Sequence, residues 1–258
     1  MTFGRAELRT GLDRGELFVL YQAQVDLRTG ALTGLECAIR WQHPERGVIH
    51  AVKFVDDIPP SGLAPDFMRF MTRTTTRQVA AWRTEGIAIP RYSINVWPIA
   101  VGRGLIDDML AAAKESAVDV ATMEIETQPE ATYDAAMLGR LREFRQAGIR
   151  VALDDFGEGS LHFGWLRDAP FDVVKIPVMF GKNAGRAYDD AIIASAVAFA
   201  RAIGAVTVIE GVESLAIRDR SRELGCDIGQ GYLWSQQVRA AELPKTLSAI
   251  TIDGAATT

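Results

Sequence analysis

Four helical segments of this chain stop at a glycine (Gly86, Gly148, Gly204 and Gly225), and each passes within a few residues into an apolar, strand-like run. Glycine enters the left-handed conformation that closes a helix without steric cost, so this punctuation has a physical cause. The runs that follow, such as VALDDF, VVKI and VTVIEG, are apolar without alternation. Strands of that kind are buried on both faces, as in a parallel sheet covered by helices. A beat of helix, glycine and buried strand restricts the chain to α/β architectures, and eight strands mostly joined by helices favour a TIM-like (β/α)8 barrel over an open doubly wound sheet.

The pattern predicts a helix over 5–15 inside an N-terminal segment 1–16, then strands over 17–24 and 31–41 joined by the turn DLRTG (26–30). Two strands so nearly contiguous imply that the first pairs antiparallel. Residues 43–65, rich in proline and glycine, read as irregular. Helices are predicted over 66–85, 102–116, 133–147, 161–167, 188–203, 214–224 and 240–250. Strands are predicted over 91–96, 123–127, from 150 onward, 172–176, 205–211 and 227–234. Neither a repeat nor a linker divides the chain, so one domain over 1–258 is expected, with 251–258 as a frayed, disordered tail.

The net charge of -5 argues against a broad nucleic-acid surface while allowing a small anion pocket. Two cysteines, Cys37 and Cys226, far apart in sequence, fit neither a disulfide framework nor a zinc motif. With three histidines (His43, His50, His162), a metal site would rely mainly on oxygen ligands. The N-terminus is polar and amphipathic, and the most apolar helical run, 191–200, is too short to span a bilayer. A soluble cytoplasmic protein without a membrane partner is the expectation.

Catalytic groups of such barrels lie at the C-terminal ends of the strands. The polar residues there are Asn95, Glu126, Asp154 with Asp155, Lys175, Glu210 and Gln230, while Glu36 interrupts the apolar second strand. Each has a bland alternative. Asn95 could be a turn residue, Lys175 a surface lysine with its stem buried, Glu210 a cap for the helix near Ser214, and Gln230 ordinary loop. In RVALDDFGEGS (150–160), one aspartate could cap the next helix while the other is solvated, or both could hold a divalent cation; that stretch alone favours neither. Gathered on one barrel mouth, five carboxylates and an amide oxygen suit Mg²⁺, Mn²⁺ or Ca²⁺ rather than zinc. A lysine among them would hold an attacking water or offset developing charge, as metal-assisted phosphoester hydrolysis requires.

In order and spacing, LYQAQVDLRTG (20–30), GLECAIRWQHPERG (34–47), SINV, MEIE, LDDFGEG, VVKI, IEGVE (209–213) and GCDIGQGYLWS (225–235) resemble the EAL domain family of cyclic di-GMP phosphodiesterases. The resemblance covers essentially the whole chain. It implies a modified TIM barrel with an antiparallel first strand, and hydrolysis of cyclic di-GMP to linear pGpG. It further implies two metals, Mg²⁺ or Mn²⁺, with Ca²⁺ binding but inhibiting. Carried over by position, Glu36, Asn95, Glu126 and Asp154 hold the first metal, and Asp154 and Asp155 the second. Lys175 lies near the nucleophilic water, Glu210 is general base or second-metal partner, Gln230 is a nearby polar contact, and Gln22 and Arg40 contact the dinucleotide. The guanidinium fork of Arg40 suits phosphate oxygens. A homodimer and a regulatory protein partner are the assemblies such domains imply.

The departures from the family pattern fall largely on one element. Glu-Ala-Leu is here Glu36-Cys37-Ala38, Ala23 stands for the usual proline, and Pro177 follows Lys175-Ile176. A Phe-Ile-Pro segment has become Phe54-Val55-Asp56, with Pro59 and Pro60 downstream. After the aspartate pair the chain has Glu158, Gly159, Ser160, Leu161 and His162, and Pro129 replaces a glutamate that anchors this loop in the family. A proline can neither accept through its side chain nor donate an N–H. These changes predict slow turnover, and they leave a second expectation: a non-hydrolytic cyclic di-GMP receptor acting through a protein partner.

Overall fold

The chain's longest strands come first. β-Branched and aromatic residues at Leu17–Asp26 (β1) and Leu32–His43 (β2) suit a pleated, half-buried surface, and the two pair antiparallel from Leu17↔Trp41 to Gln24↔Gly34. Between them Asp26 closes the turn, its carboxylate accepting from the backbone N–H groups of Arg28 and Thr29 at 2.9 and 2.6 Å. The structure, a computed structural model, describes residues 2–128, 135–158 and 170–250.

Strand β2 continues past the barrel rim and folds back on Gly47–His50 (β3). The remaining strands are Tyr92–Asn95 (β4), Met123–Thr127 (β5), Arg150–Leu153 (β6), Val173–Ile176 (β7), Val206–Ile209 (β8), Ile228–Gln230 (β9) and Val238–Arg239 (β10). From β2 through β4 to β9 every neighbour is parallel. Strand β1 then closes the ring, antiparallel to both β2 and β9. Eight strands thus form a closed barrel with the first strand reversed, as the sequence predicted, and β3 and β10 are short additions at its rim.

The α-helices among the described residues are Arg5–Asp13 (α1), Ile58–Ser61 (α2), Ala64–Thr84 (α3), Arg103–Ser116 (α4), Ala135–Gln146 (α5), Val178–Gly181 (α6), Ala187–Ile203 (α7), Leu215–Glu223 (α8) and Leu243–Ala249 (α9). Gly86, Gly148, Gly204 and Gly225 all have φ between 73° and 92°, so the glycine punctuation performs the helix closure it predicted. Helix α4 ends without a glycine: Ala117 takes the left-handed conformation itself, at φ 51°.

Some boundaries differ from the sequence reading. The segment 43–65 is not wholly irregular, since β3 and α2 lie within it; both are four residues long and lack a readable period. Helix α6, directly after Pro177, was not predicted, and the last helix begins at Leu243 rather than 240 because residues 240–242 turn away from β10, with the Glu242 N–H donating to the Arg239 carbonyl at 2.9 Å. The predicted helix 161–167, the tail 251–258, Pro129 and residues 159–162 lie outside the described residues. No helix among the described residues is long and apolar enough to cross a membrane.

Candidate active site

Strand β7 is buried at all four residues, Lys175 included, which is 1% exposed. A fully buried ammonium must be paired, and Lys175 is paired four times. Its Nζ lies 2.7 Å from Glu126 Oε2, 2.8 Å from Glu210 Oε1, 3.4 Å from Asp154 Oδ1 and 3.7 Å from Glu36 Oε2. Those carboxylates arrive from β5, the end of β8, the end of β6 and the middle of β2. Four strands therefore deliver acidic side chains to one cation at the C-terminal mouth.

Glu36 is held from two sides. Asn95 Nδ2 donates to its Oε1 at 3.1 Å, and Gln230 Nε2 donates to its Oε2. Gln230 belongs to β9 and is buried, so it is a strand residue rather than loop. Its Nε2 also reaches Gln22 Oε1 at 3.1 Å, and Gln22 Nε2 donates to the Ser235 carbonyl at 2.9 Å. Glu210 is freed from capping duty because Ser214 Oγ caps α8, accepting from the Ile217 N–H. Its backbone is clamped by α6: a Cβ on Gly181 would lie 1.7 Å from the Glu210 carbonyl oxygen.

The aspartate pair divides. Asp154 faces Lys175 and accepts the Asp155 N–H at 3.0 Å, whereas the Asp155 carboxylate takes Gln128 Nε2 at 2.5 Å. Asp155 is left-handed at φ 50°, a conformation that costs a non-glycine residue energy and that persists where surrounding structure enforces it. Arg40 is buried beside the cleft, with Nη1 on the Ile39 carbonyl, Nη2 on Gln237 Oε1 and Nε without a partner.

Five carboxylates against one ammonium leave the mouth strongly negative, and the protonation equilibria register it. Burial pushes Glu126 well above the usual carboxylate range; Lys175 opposes this, and Glu36 and Asp154 add to it. Burial likewise raises Glu210 to about 7, against the pull of Lys175. Asp155 is raised to about 6 by burial, then by Asp154 and Glu158. Glu36 is the exception: burial raises it, but Lys175 and the amides of Gln230 and Asn95 more than offset that and hold it ionised. For Lys175, burial is outweighed by Asp154, Glu126, Glu210 and Glu36, so its charge is secure.

Among the described residues no three acidic, histidine or cysteine side chains already stand as a closed metal cage. Lys175 holds the centre, and Asn95 turns its nitrogen toward Glu36. The donor set nonetheless fits a hard divalent cation: it is all oxygen, it carries excess negative charge, and Glu126 Oε1 is buried without a partner. Glu36, Asp154 and Glu210 border a cleft of about 270 Å³ that extends to Tyr232 and Gln237.

All ten residues singled out in the sequence lie at or beside this mouth. The sequence reading missed Gln128, Gln237 and the exposed Lys182–Glu213 pair (2.8 Å) at the cleft. It also missed Gln24, whose Nε2 bonds Gln230 Oε1 at 2.9 Å. An out-of-place glutamine in the apolar run LYQAQVD was the available signal for Gln24. The others pair across the fold, and spacing does not reveal them.

A parallel barrel with one reversed strand and an oxygen-rich acidic mouth defines a class of α/β barrel proteins that handle ligands at the C-terminal face. The comparison with known families is specific within that class: the EAL domain model matches residues 5–237, and the chain belongs to the EAL domain family. It is 33% identical to the cyclic di-GMP phosphodiesterase RocR of Pseudomonas aeruginosa, over 90% of this chain and 60% of that protein. It is 30% identical to the bifunctional diguanylate cyclase/cyclic di-GMP phosphodiesterase MucR of the same organism, over 92% of this chain and 35% of MucR. The solved PaMucR phosphodiesterase in complex with c-di-GMP superposes with a TM-score of 0.85 at 28% identity, covering 92% of this chain and 98% of that one. The chain thus spans between about a third and three fifths of these two curated relatives.

Proposed function

We propose that this barrel binds cyclic di-GMP at its mouth and, with Mg²⁺ or Mn²⁺, hydrolyses one phosphodiester to give linear pGpG. The observation that carries the reading is the set of carboxylates gathered about Lys175 in a chain of the EAL domain family. Glu36, Asn95, Glu126, Asp154 and Asp155 would hold the cations, with Asn95 turning its amide oxygen inward. The bound cations supply charge neutralisation for the phosphate and a lowered pKa for the attacking water.

The chain's own residues account for the rest. Gln22 and Arg40 orient the dinucleotide, the guanidinium of Arg40 being suited to a phosphate oxygen. Lys175 offsets the charge that develops on the phosphoryl oxygens. Glu210, 2.8 Å from Lys175, takes a proton from the attacking water as the water oxygen bonds to phosphorus, and the ribose oxygen released as the bridging P–O bond breaks takes up a proton from solvent to become the product hydroxyl. Incubation of the purified chain with cyclic di-GMP and Mn²⁺, followed by chromatography, tests this: pGpG accumulates if the reading holds. Intact cyclic di-GMP after exhaustive incubation would overturn it.

One observation favours a second reading, a receptor that binds without cutting: Asp155 stands apart from the Lys175 cluster, held by Gln128. The altered sequence after it, Glu158 to His162, points the same way. That reading expects binding of cyclic di-GMP by calorimetry and no linear product.

A further inference from the structure

A chain of buried polar side chains crosses the barrel interior from its N-terminal floor to the mouth. At the floor, Glu124 Oε2 takes Arg150 Nε at 3.2 Å and pairs with Arg91 Nε at 3.4 Å. Arg91 Nη2 donates to Gln24 Oε1 at 2.9 Å, Gln24 Nε2 donates to Gln230 Oε1 at 2.9 Å, and Gln230 Nε2 donates to Glu36 Oε2. Gln24 is fully buried, Gln230 is 4% exposed and Arg91 7%. The passage exists because position 34 of β2 is glycine: a Cβ there would lie 3.1 Å from Gln24 Oε1 and 3.2 Å from Arg91 Nε.

The direction of this chain is set by its two ends. A guanidinium has donors only and an ionised carboxylate acceptors only. An amide can face either way, but Arg91 accepts nothing, so Gln24 must turn its oxygen to the floor and its NH₂ to Gln230. Gln230 must then turn its oxygen to Gln24 and its NH₂ to Glu36. Reversal of either amide would set oxygen against oxygen in a buried site, where an unmet acceptor is costly.

We infer that Arg91 is a remote positioning residue for Glu36: through Gln24 it fixes the orientation of the Gln230 amide, which in turn holds the Glu36 carboxylate in place for cation binding. The inference rests on the reading of Glu36 as a cation ligand. Partners of ligating carboxylates change metal affinity or activity by about 10–100-fold when they are lost.

The discriminating variant is Gln24→Glu. It is nearly isosteric and keeps an acceptor for Arg91, yet its carboxylate cannot donate to Gln230 Oε1; it sets oxygen against oxygen there and displaces the Gln230 amide from its bonds to Glu36 and Gln22. Mn²⁺ titration by calorimetry and the side-chain amide resonances of Gln230 in an NMR spectrum read the result, with a melting curve beside them. The expected result is a displaced Gln230 amide pair and Mn²⁺ affinity lower by about 10–100-fold at near wild-type melting temperature. Should Gln24→Glu not fold, Gln24→Met, which removes donor and acceptor together, is expected to shift the same resonances and weaken Mn²⁺ in the same direction. Gln230 resonances at their wild-type positions in the folded variant would overturn the inference, as would unchanged Mn²⁺ affinity. If the wild-type protein makes no pGpG, the phosphodiesterase reading falls, while the Gln230 resonances still decide the relay.

Discussion

Among the glycines of the described residues, Gly181 leaves the least room for a Cβ, and its substitution by alanine isolates one element of the site. An ordinary carbon–oxygen contact is about 3.5 Å, but an alanine Cβ at 181 would stand 1.7 Å from the Glu210 carbonyl oxygen and 2.9 Å from its carbonyl carbon. Neither atom is the end of a flexible side chain. The backbone of α6 or of residue 210 must therefore yield by roughly 1.8 Å. Overpacking of this kind costs about 1–3 kcal/mol, which lowers the melting temperature of a chain of this size by roughly 2–12 °C. A misplacement of ~1 Å in a site can cost ~100-fold in rate, so Gly181→Ala is expected to lose about 100-fold in kcat. The assay is turnover of cyclic di-GMP with Mn²⁺, with circular dichroism to establish the folded fraction. Gly139→Ala serves as the comparison, because among the described residues a Cβ in the middle of α5 meets no atom within 4 Å beyond its chain neighbours and its own helix backbone. Folded Gly181→Ala protein with wild-type kcat would refute the claim that the docking of α6 sets the position of Glu210.

Four further outcomes follow from the same reasoning. Gly139→Ala should itself stabilise the protein by roughly 0.5–1 kcal/mol in chemical denaturation, since only helix propensity changes. Ala117→Gly should stabilise by a similar amount of about 0.5–1 kcal/mol, because it relieves the left-handed cost at the end of α4. Lys175→Met leaves the mouth carboxylates uncompensated and should cost about 3–5 kcal/mol in metal-free protein; a metal-free melting point equal to wild type would contradict the pairing described here. For Asp26, burial raises the carboxyl but the bonds from Thr29 and Arg28 lower it further, leaving it below the usual range. A depressed carboxyl contributes its stability above the ordinary carboxylate pKa and loses it as pH falls through the folded value. The stability gap between wild type and Asp26→Ala should therefore be full at neutral pH and shrink below about pH 4.

The barrel was legible because its signals are local. Gly86, Gly148, Gly204 and Gly225 each close a helix within its own turn, and buried strands such as VVKI show in composition alone. The inner polar residues of those strands stood out for the same reason: Lys175 and Glu36 interrupt apolar runs, and an interruption is readable without partners. What the sequence did not carry is pairing between distant strands. The division of Asp154 from Asp155 depends on Gln128, 27 residues away. The relay to Glu36 joins Gln24 to Arg91 and Gln230 across separations of 67 and 206 residues. Short elements such as α6 and β10 arise from packing on the barrel rim, and two to four residues are too few to show a period.

On the proposed reading, the acidic mouth around Lys175 cuts cyclic di-GMP and Glu36 is part of the cutting site. Chelator-treated protein, incubated with cyclic di-GMP before and after addition of Mn²⁺ and followed by chromatography beside Glu36→Ala, tests it most directly. Linear pGpG that appears only with Mn²⁺, and not from the folded variant, is the result expected. Equal product from wild type and Glu36→Ala, or none from wild type with Mn²⁺, would contradict it.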